Sequence, residues 1–166
     1  MFREMRRKKQ QLPQEEEAAE ALLRGGSHGV LAVSGDDGYP YAVPLSYVFD
    51  GKTLYFHCAK SGHKLDAVRA CGKASFCVVG QDDVVPEAFT THYRSVIAFG
   101  RVRIVGDDAE RAAAIRLLAR RYAPEATEAE LEAAVAREEA ALCMLALEIE
   151  HLTGKEAVEL TRARQG

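Results

Sequence analysis

The 166-residue chain reads as a mainly β fold with some α, a small closed or nearly closed antiparallel barrel with short helices in the gaps between strands. Three observations predict this class. Strand-like runs follow one another in hairpin order, separated by glycine–aspartate turns at residues 35–38 and 50–51. Helical periodicity is confined to short segments between the strands and does not alternate regularly with them. No GxGxxG follows the first strand, so a parallel dinucleotide-binding sheet is a weak alternative.

Taken in order, residues 14–24 (QEEEAAEALLR) are strong helix formers stopped by Gly25 and Gly26. HGVLAVS at 28–34 and YPYAVPLSYVF at 39–49 form a first hairpin. TLYFHCA at 53–59 adds a third strand, with Leu54, Phe56 and Cys58 on one face and Tyr55 and His57 on the other. The period then changes: Leu65 and Val68 mark a short helix that Ser61 can cap and Gly72 can end. ASFCVVG at 74–80 is a fourth strand, and QDDVVPEAFTT after it reads as a polar, proline-containing loop. A fifth strand from about His92 to Gly106 is long enough to bend around a barrel. Ile115, Leu118 and Tyr122 mark an amphipathic helix punctuated by Pro124, and Thr127 with Glu130 forms a capping box for the next helix. A last strand covers 143–152. This organisation is one domain over residues 14–160, with a flexible basic N-terminus at 1–13 and a flexible polar tail at 161–166.

Composition narrows the function classes. Hydrophobic residues at 48% and charged residues at 28% describe a globular chain. A formal net charge of -3 gives no general attraction for nucleic acid or anionic membranes. The basic cluster Arg3, Arg6, Arg7, Lys8 and Lys9 precedes Glu15, Glu16 and Glu17 with no apolar segment between them, which is not a secretory signal. No window approaches the ~18 apolar residues of a membrane helix, so a cytoplasmic protein is expected. Cys58, Cys71, Cys77 and Cys143 lack any CxxC spacing and sit in apolar patterns, as reduced buried thiols do; no structural metal is expected.

The stretch YFHCAKSGHKL carries the most chemistry. A strand ends there, Gly62 gives the backbone room, and Lys64 falls in the first turn of the following helix, where free amides and the helix dipole favour an anion. Lys64 is equally well read as a solvated surface residue. His57 and His63 flank the turn; each is a ligand-facing candidate or a hydrogen-bonded structural histidine. His57, Cys58 and His63 make a poor zinc set, because consecutive strand side chains point to opposite faces. Pro44 interrupts a strong strand, which frees the backbone of Leu45, Ser46 and Tyr47 for a planar heterocycle or simply marks an edge strand. Tyr93, Arg94 and Ser95 can donate to a phosphate or begin an exposed strand, while Arg101 and Arg103 read as a solvated face.

DGYPYAVPLSYVFDGKTLYFHCAKSGHKLDAV followed by THYRSVIAFGRVRIV resembles the flavin-binding split-barrel superfamily of pyridoxamine-phosphate-oxidase-like proteins, and within it the nitroimidazole-resistance type. The resemblance runs from about His28 to Thr153 and implies a six-stranded antiparallel split barrel, a homodimer, and two FMN sites at the subunit interface. It further implies that Gly62, His63 and Lys64 hold the FMN phosphate with Tyr93 and Ser95 as second contributors. Pro44, Leu45, Ser46, Tyr47 and Val48 would line the flavin ring, and His57 would stand near it as a catalytic proton donor. The chain departs from true pyridoxamine-phosphate oxidases in having no tryptophan and in ending HLTGKEAVELTRARQG, so vitamin B6 oxidation is not expected.

Two functions follow from the resemblance. One is an FMN-dependent oxidoreductase that reduces nitroaromatic or other small electrophilic compounds with electrons from NAD(P)H. The other is a non-catalytic flavin- or haem-binding protein of the same barrel, with His57 or His63 as an iron ligand. A deazaflavin coenzyme would need a longer anionic groove, which the net charge does not suggest.

Overall fold

A computed structural model describes residues 1–12 and 15–165. Its seven strands are β1 (His28–Ser34), β2 (Pro40–Ser46), β3 (Val48–Phe49), β4 (Thr53–Ala59), β5 (Lys73–Val85), β6 (Thr90–Ile104) and β7 (Leu142–Glu156). Five α-helices accompany them: α1 (Glu15–Gly25), α2 (His63–Ala70), α3 (Asp108–Tyr122), α4 (Glu128–Glu139) and α5 (Val158–Gln165). Gln14, expected to open the first helix, lies outside the described residues. All pairings are antiparallel, in the order β2-β1-β5-β6-β7-β4-β3.

The sheet therefore has seven strands where six were expected, and hydrogen bonding does not close it. The physical reason is a break at Tyr47. Residues 40–46 pair with β1 at one edge of the sheet, and residues 48–49 pair with β4 at the other. One continuous stretch of chain thus supplies both edges, and only Tyr47 separates them. Of the two readings of Pro44, a freed backbone or an edge strand, the structure shows the second: it sits in edge strand β2 opposite Val30.

Tyr47 is fully buried, and its hydroxyl donates to the Leu23 carbonyl at 2.7 Å. That carbonyl lies in the last turn of α1, where backbone acceptors have no partner within the helix. Arg121, at the end of α3, donates to the Gly25 and Gly26 carbonyls a little further on, both at 2.9 Å. The Tyr122 hydroxyl accepts from the Tyr47 amide at 3.1 Å and donates to the Ser27 carbonyl at 2.5 Å. A side chain at Gly26 would collide with the Tyr47 hydroxyl and Val78, so glycine is required where α1 meets the sheet. Burial pushes the Tyr47 phenol up to about 12, against an opposing pull from Arg121.

Inside the sheet, Leu31, Leu54, Phe56, Phe76, Val96 and Leu145 form the main core, joined by Ala19 and Leu23 of α1 and by Leu65 and Val68 of α2. A second cluster on the outer face packs α3, through Ala114, Ile115 and Leu118, on Tyr55, Val48, Met144 and Ala146. The expected alternation on β4 therefore holds, with the outer face covered at Tyr55 and exposed at His57. The Thr127–Glu130 capping box is formed. Ser61 does not cap α2; the helix starts behind Gly62, whose φ of 125° a side chain would resist.

The segment expected as a polar loop after the fourth strand is instead a continuation of β5, because Asp82, Asp83, Val84 and Val85 pair with Tyr93, His92, Thr91 and Thr90. Both ends of the chain also carry structure. Leu12 is buried and its amide donates to the Gly154 carbonyl at 3.1 Å. Thr161, expected to open a flexible tail, is buried within α5 and donates to Glu156 at 3.1 Å. Burial would raise the carboxyl of Glu156, but Arg164, Arg94 and Thr161 outweigh it and hold the group below the usual range.

Tyr47→Phe keeps the ring and removes only the bond to Leu23. Urea denaturation is expected to show a loss of about 1–3 kcal/mol, the cost of an unpaired buried acceptor; a variant as stable as the parent would show that the junction does not depend on that hydroxyl.

Candidate functional site

The turn from β4 into α2 is the strongest candidate. Gly62 accepts from the Leu65 and Asp66 amides at 2.9 and 3.2 Å, which winds the first turn of α2 tightly. No side chain caps this helix, so the amides of its first residues face out at its positive end. A Cβ at Gly62 would meet nothing within 4 Å, so the turn has open space beside it. Lys64, half-buried in that first turn, places an ammonium there. Its charge is felt by the Cys58 thiol, at the end of β4. Amides, dipole and ammonium together suit a phosphate monoester.

His63 is fixed by neighbours rather than free to roam. Its ring stacks on Tyr41 with centroids 4.1 Å apart, and its Nε2 lies 3.6 Å from Asp36 in the β1–β2 turn. The stack ties the candidate turn to the first hairpin. Tyr41 was missed in the sequence, where it looked like any strand aromatic and no spacing rule links it to residue 63.

The remaining predicted residues divide into three groups. Pro44 is exposed on the outer face of β2, while Leu45 turns inward against the core. Leu45 and Ser46, whose backbone was expected to be free, pair with Gly29 and His28. Tyr47 and Val48 are buried, and the Tyr47 amide is taken by Tyr122, so neither side chain is presented to a ligand. His57 is exposed on the outer face of β4, at a cavity of about 220 Å³ under α3 and α4.

Tyr93 and Ser95 lie elsewhere again. Ser95 pairs with Lys155 of β7, whereas His57 pairs with Met144, eleven residues earlier on the same strand (155 − 144). At about 3.3 Å per residue this is roughly 35 Å along β7. Tyr93 and Ser95 thus lie toward the opposite end of β7 from the strand that leads into the Lys64 turn.

Cys58 faces Cys143 across the β4–β7 ladder. Burial first, and the neighbouring Cys143 thiol second, push Cys58 up to about 11 against the pull of Lys64. Among the described residues, no cluster of three or more His, Cys, Asp or Glu could hold a metal ion, and no helix is long and apolar enough to cross a membrane.

A family model described as pyridoxamine 5′-phosphate oxidase matches residues 15–156. No curated protein matches the chain. Among solved structures, a candidate 5-nitroimidazole antibiotic resistance protein from Bacteroides thetaiotaomicron is similar with a TM-score of 0.71 at 18% identity, over 87% of this chain and 85% of that one. An FAD-binding protein from Mesorhizobium loti gives 0.63 at 24% identity, over 85% and 94%. An FAD and heme binding protein from Mycobacterium smegmatis gives 0.66 at 25% identity, over 90% and 78%.

Because thiolate is the reactive form, Cys58 is expected to stay unmodified when the native protein meets iodoacetamide near pH 8, and to react once the chain is unfolded. Peptide mass spectrometry reads this directly; rapid alkylation of native Cys58 would mean that the β4 end is open.

Proposed function

Since the chain belongs to the pyridoxamine 5′-phosphate oxidase family, we propose that it binds FMN with the phosphate at the turn between β4 and α2, and acts as a flavin-dependent reductase of small electrophiles. The observation that carries this reading is the uncapped start of α2 behind Gly62, with Lys64 in its first turn. Such a turn offers one anion cradle, which suits the single phosphate of FMN. The flavin would supply the redox chemistry by taking up and passing on electrons. The chain would supply position and charge: the amides of His63 and Lys64 and the Lys64 ammonium for the phosphate, and His57, on the outer face of β4, as a proton donor. Nitroaromatic compounds, with NAD(P)H as electron donor, are the substrate class we favour, in line with the description of the Bacteroides relative.

The reading includes a homodimer, in which Tyr93 and Ser95 of a second chain would complete the Lys64 turn. A surface for it runs across five strands on the outer face. One cross-strand row holds Pro44, Val30, Cys77, Ile97 and Thr153, and the next holds Ala42, Ala32, Ser75, Phe99 and His151. Neither row carries an acidic residue, Lys or Arg, and Val30 remains 39% exposed. Depletion of charge at the centre of a patch is the compositional mark of an interface.

Purified protein is expected to be yellow, to release FMN on denaturation, and to scatter light with twice the 18.2 kDa chain mass. NAD(P)H should bleach it without oxygen, and a nitroaromatic compound should restore the colour. An intense Soret band, or no chromophore after incubation with FMN, would overturn the flavin reading. Bound flavin that no donor reduces would leave binding and remove the enzyme.

A further inference from the structure

Helices α3 and α4 do not close on the sheet beneath them. On their solvent side Arg116 pairs with Glu128 and Glu132, and Arg120 pairs with Glu128, which holds the two helices together. The residues that face the gap include two alanines, Ala119 and Ala134, whose methyl groups are too short to fill it. A cavity of about 220 Å³ is left between the helices and the outer face of β4. Ile115 and Leu118 of α3 and Val135 of α4 line it with hydrocarbon, and His57 of β4 reaches it from the sheet.

The polar groups of this lining differ in what they have left to offer. The Tyr122 hydroxyl is already committed, since it accepts from the Tyr47 amide and donates to the Ser27 carbonyl. The His57 ring is exposed at the cavity and has an N–H to donate. Glu138 brings a negative charge, and among the described residues the lining holds no lysine or arginine to balance it. Its Oε1 accepts from Arg137 at 3.0 Å, but that arginine is exposed and stands outside the lining. An apolar cavity of ~150 Å³ already accepts benzene, whereas pockets for drug-sized ligands start at roughly 300 Å³. The space therefore suits one aromatic ring.

We propose that the α3–α4 cavity is the electrophile site, and that it takes a single uncharged aromatic ring whose electron-poor substituent accepts from His57. The proposal rests on the preceding reading of a flavin-dependent reductase and gives its substrate a place, a size and a charge. The ring packs between Leu118, Ala119 and Ala134, with its substituent toward β4. An anionic substituent is turned away by Glu138, because two like charges held close beside apolar walls repel more than they do in water. The cavity also opens on the strand that leads into the phosphate turn. From His57 to Gly62 is five residues (62 − 57), at most roughly 17 Å of chain.

The test follows the fluorine NMR signal of para-fluoronitrobenzene added to the purified full-length protein, with no electron donor present. The probe is expected to bind and to be displaced by nitrobenzene, while para-nitrobenzoate competes at least about tenfold more weakly. Glu138→Gln, at a half-exposed position, should bring the anion to within about threefold of the neutral ring. Ala134→Trp should fill the cavity and abolish probe binding while the protein retains FMN. Equal competition by neutral and anionic rings in the parent, probe binding that Ala134→Trp leaves intact, or no binding at all would overturn the proposal. The measurement involves no turnover, so it fails separately from the reductase reading. A protein that binds the probe as expected, but whose flavin no donor reduces, would support the cavity and remove the enzyme. Flavin that nitroaromatic compounds reoxidise at the parent rate in Ala134→Trp would support the enzyme and remove the cavity.

Discussion

Residues 40–49 have to serve two edges of one sheet, and the buried junction at Tyr47 is what lets them do so. A strand that paired without a break on one side would leave β4 without its partner at Val48 and Phe49. Releasing Tyr47 from both ladders costs backbone hydrogen bonds, and the structure recovers them with side chains drawn from distant parts of the chain. The Tyr122 hydroxyl accepts from the Tyr47 amide, the Tyr47 hydroxyl caps α1, and Arg121 takes the Gly25 and Gly26 carbonyls where that helix ends. Helices α1 and α3 are thereby locked to the one place where the chain switches edges.

That junction also decides what is available for binding. The core takes up Tyr47 and Val48, so the break cannot present those side chains to a ligand. The opposite end of the first hairpin stays more open: there Tyr41 stacks on His63 and the turn at Gly62 leads into α2. Helices α3 and α4 cover the outer face of β4, while the outer face of β1, β5 and β6 keeps small and apolar side chains. On the proposed reading, this division leaves one surface for a second subunit and one corner for a phosphate.

Much of this was legible in the sequence because local chemistry and tertiary structure agree. The limits of β1 and β4, the Thr127–Glu130 capping box and the placement of Lys64 in a first helical turn all followed from spacing and residue type. The errors came where long-range pairing overrode local signals. Pro44 allows two readings, a freed backbone or an edge strand; the edge strand is what forms, and the break falls at an ordinary-looking tyrosine that no local signal marks. Asp82, Asp83 and Pro86 read as a loop, but pairing with His92 and Tyr93 extends the strand through the two aspartates. The basic leader and the polar tail hid Leu12 and Thr161, single residues whose burial depends on β7 and no local pattern. At the candidate site, Gly62, His63 and Lys64 are consecutive and open α2, as the spacing predicts. The sequence could not show that Tyr93 and Ser95 lie at the other end of β7, since distance along a folded strand is not written in spacing.

The central claim is that a phosphate is held by the first turn of α2 and Lys64, and paired titrations of flavin-free protein with FMN and with riboflavin test it most directly. The account predicts that FMN binds at least tenfold more tightly, a difference of about 1.4 kcal/mol, and that Lys64→Ala erases most of this preference while riboflavin binding barely changes. Equal affinity for the two compounds in the parent protein, or a preference for FMN that survives Lys64→Ala undiminished, would contradict it.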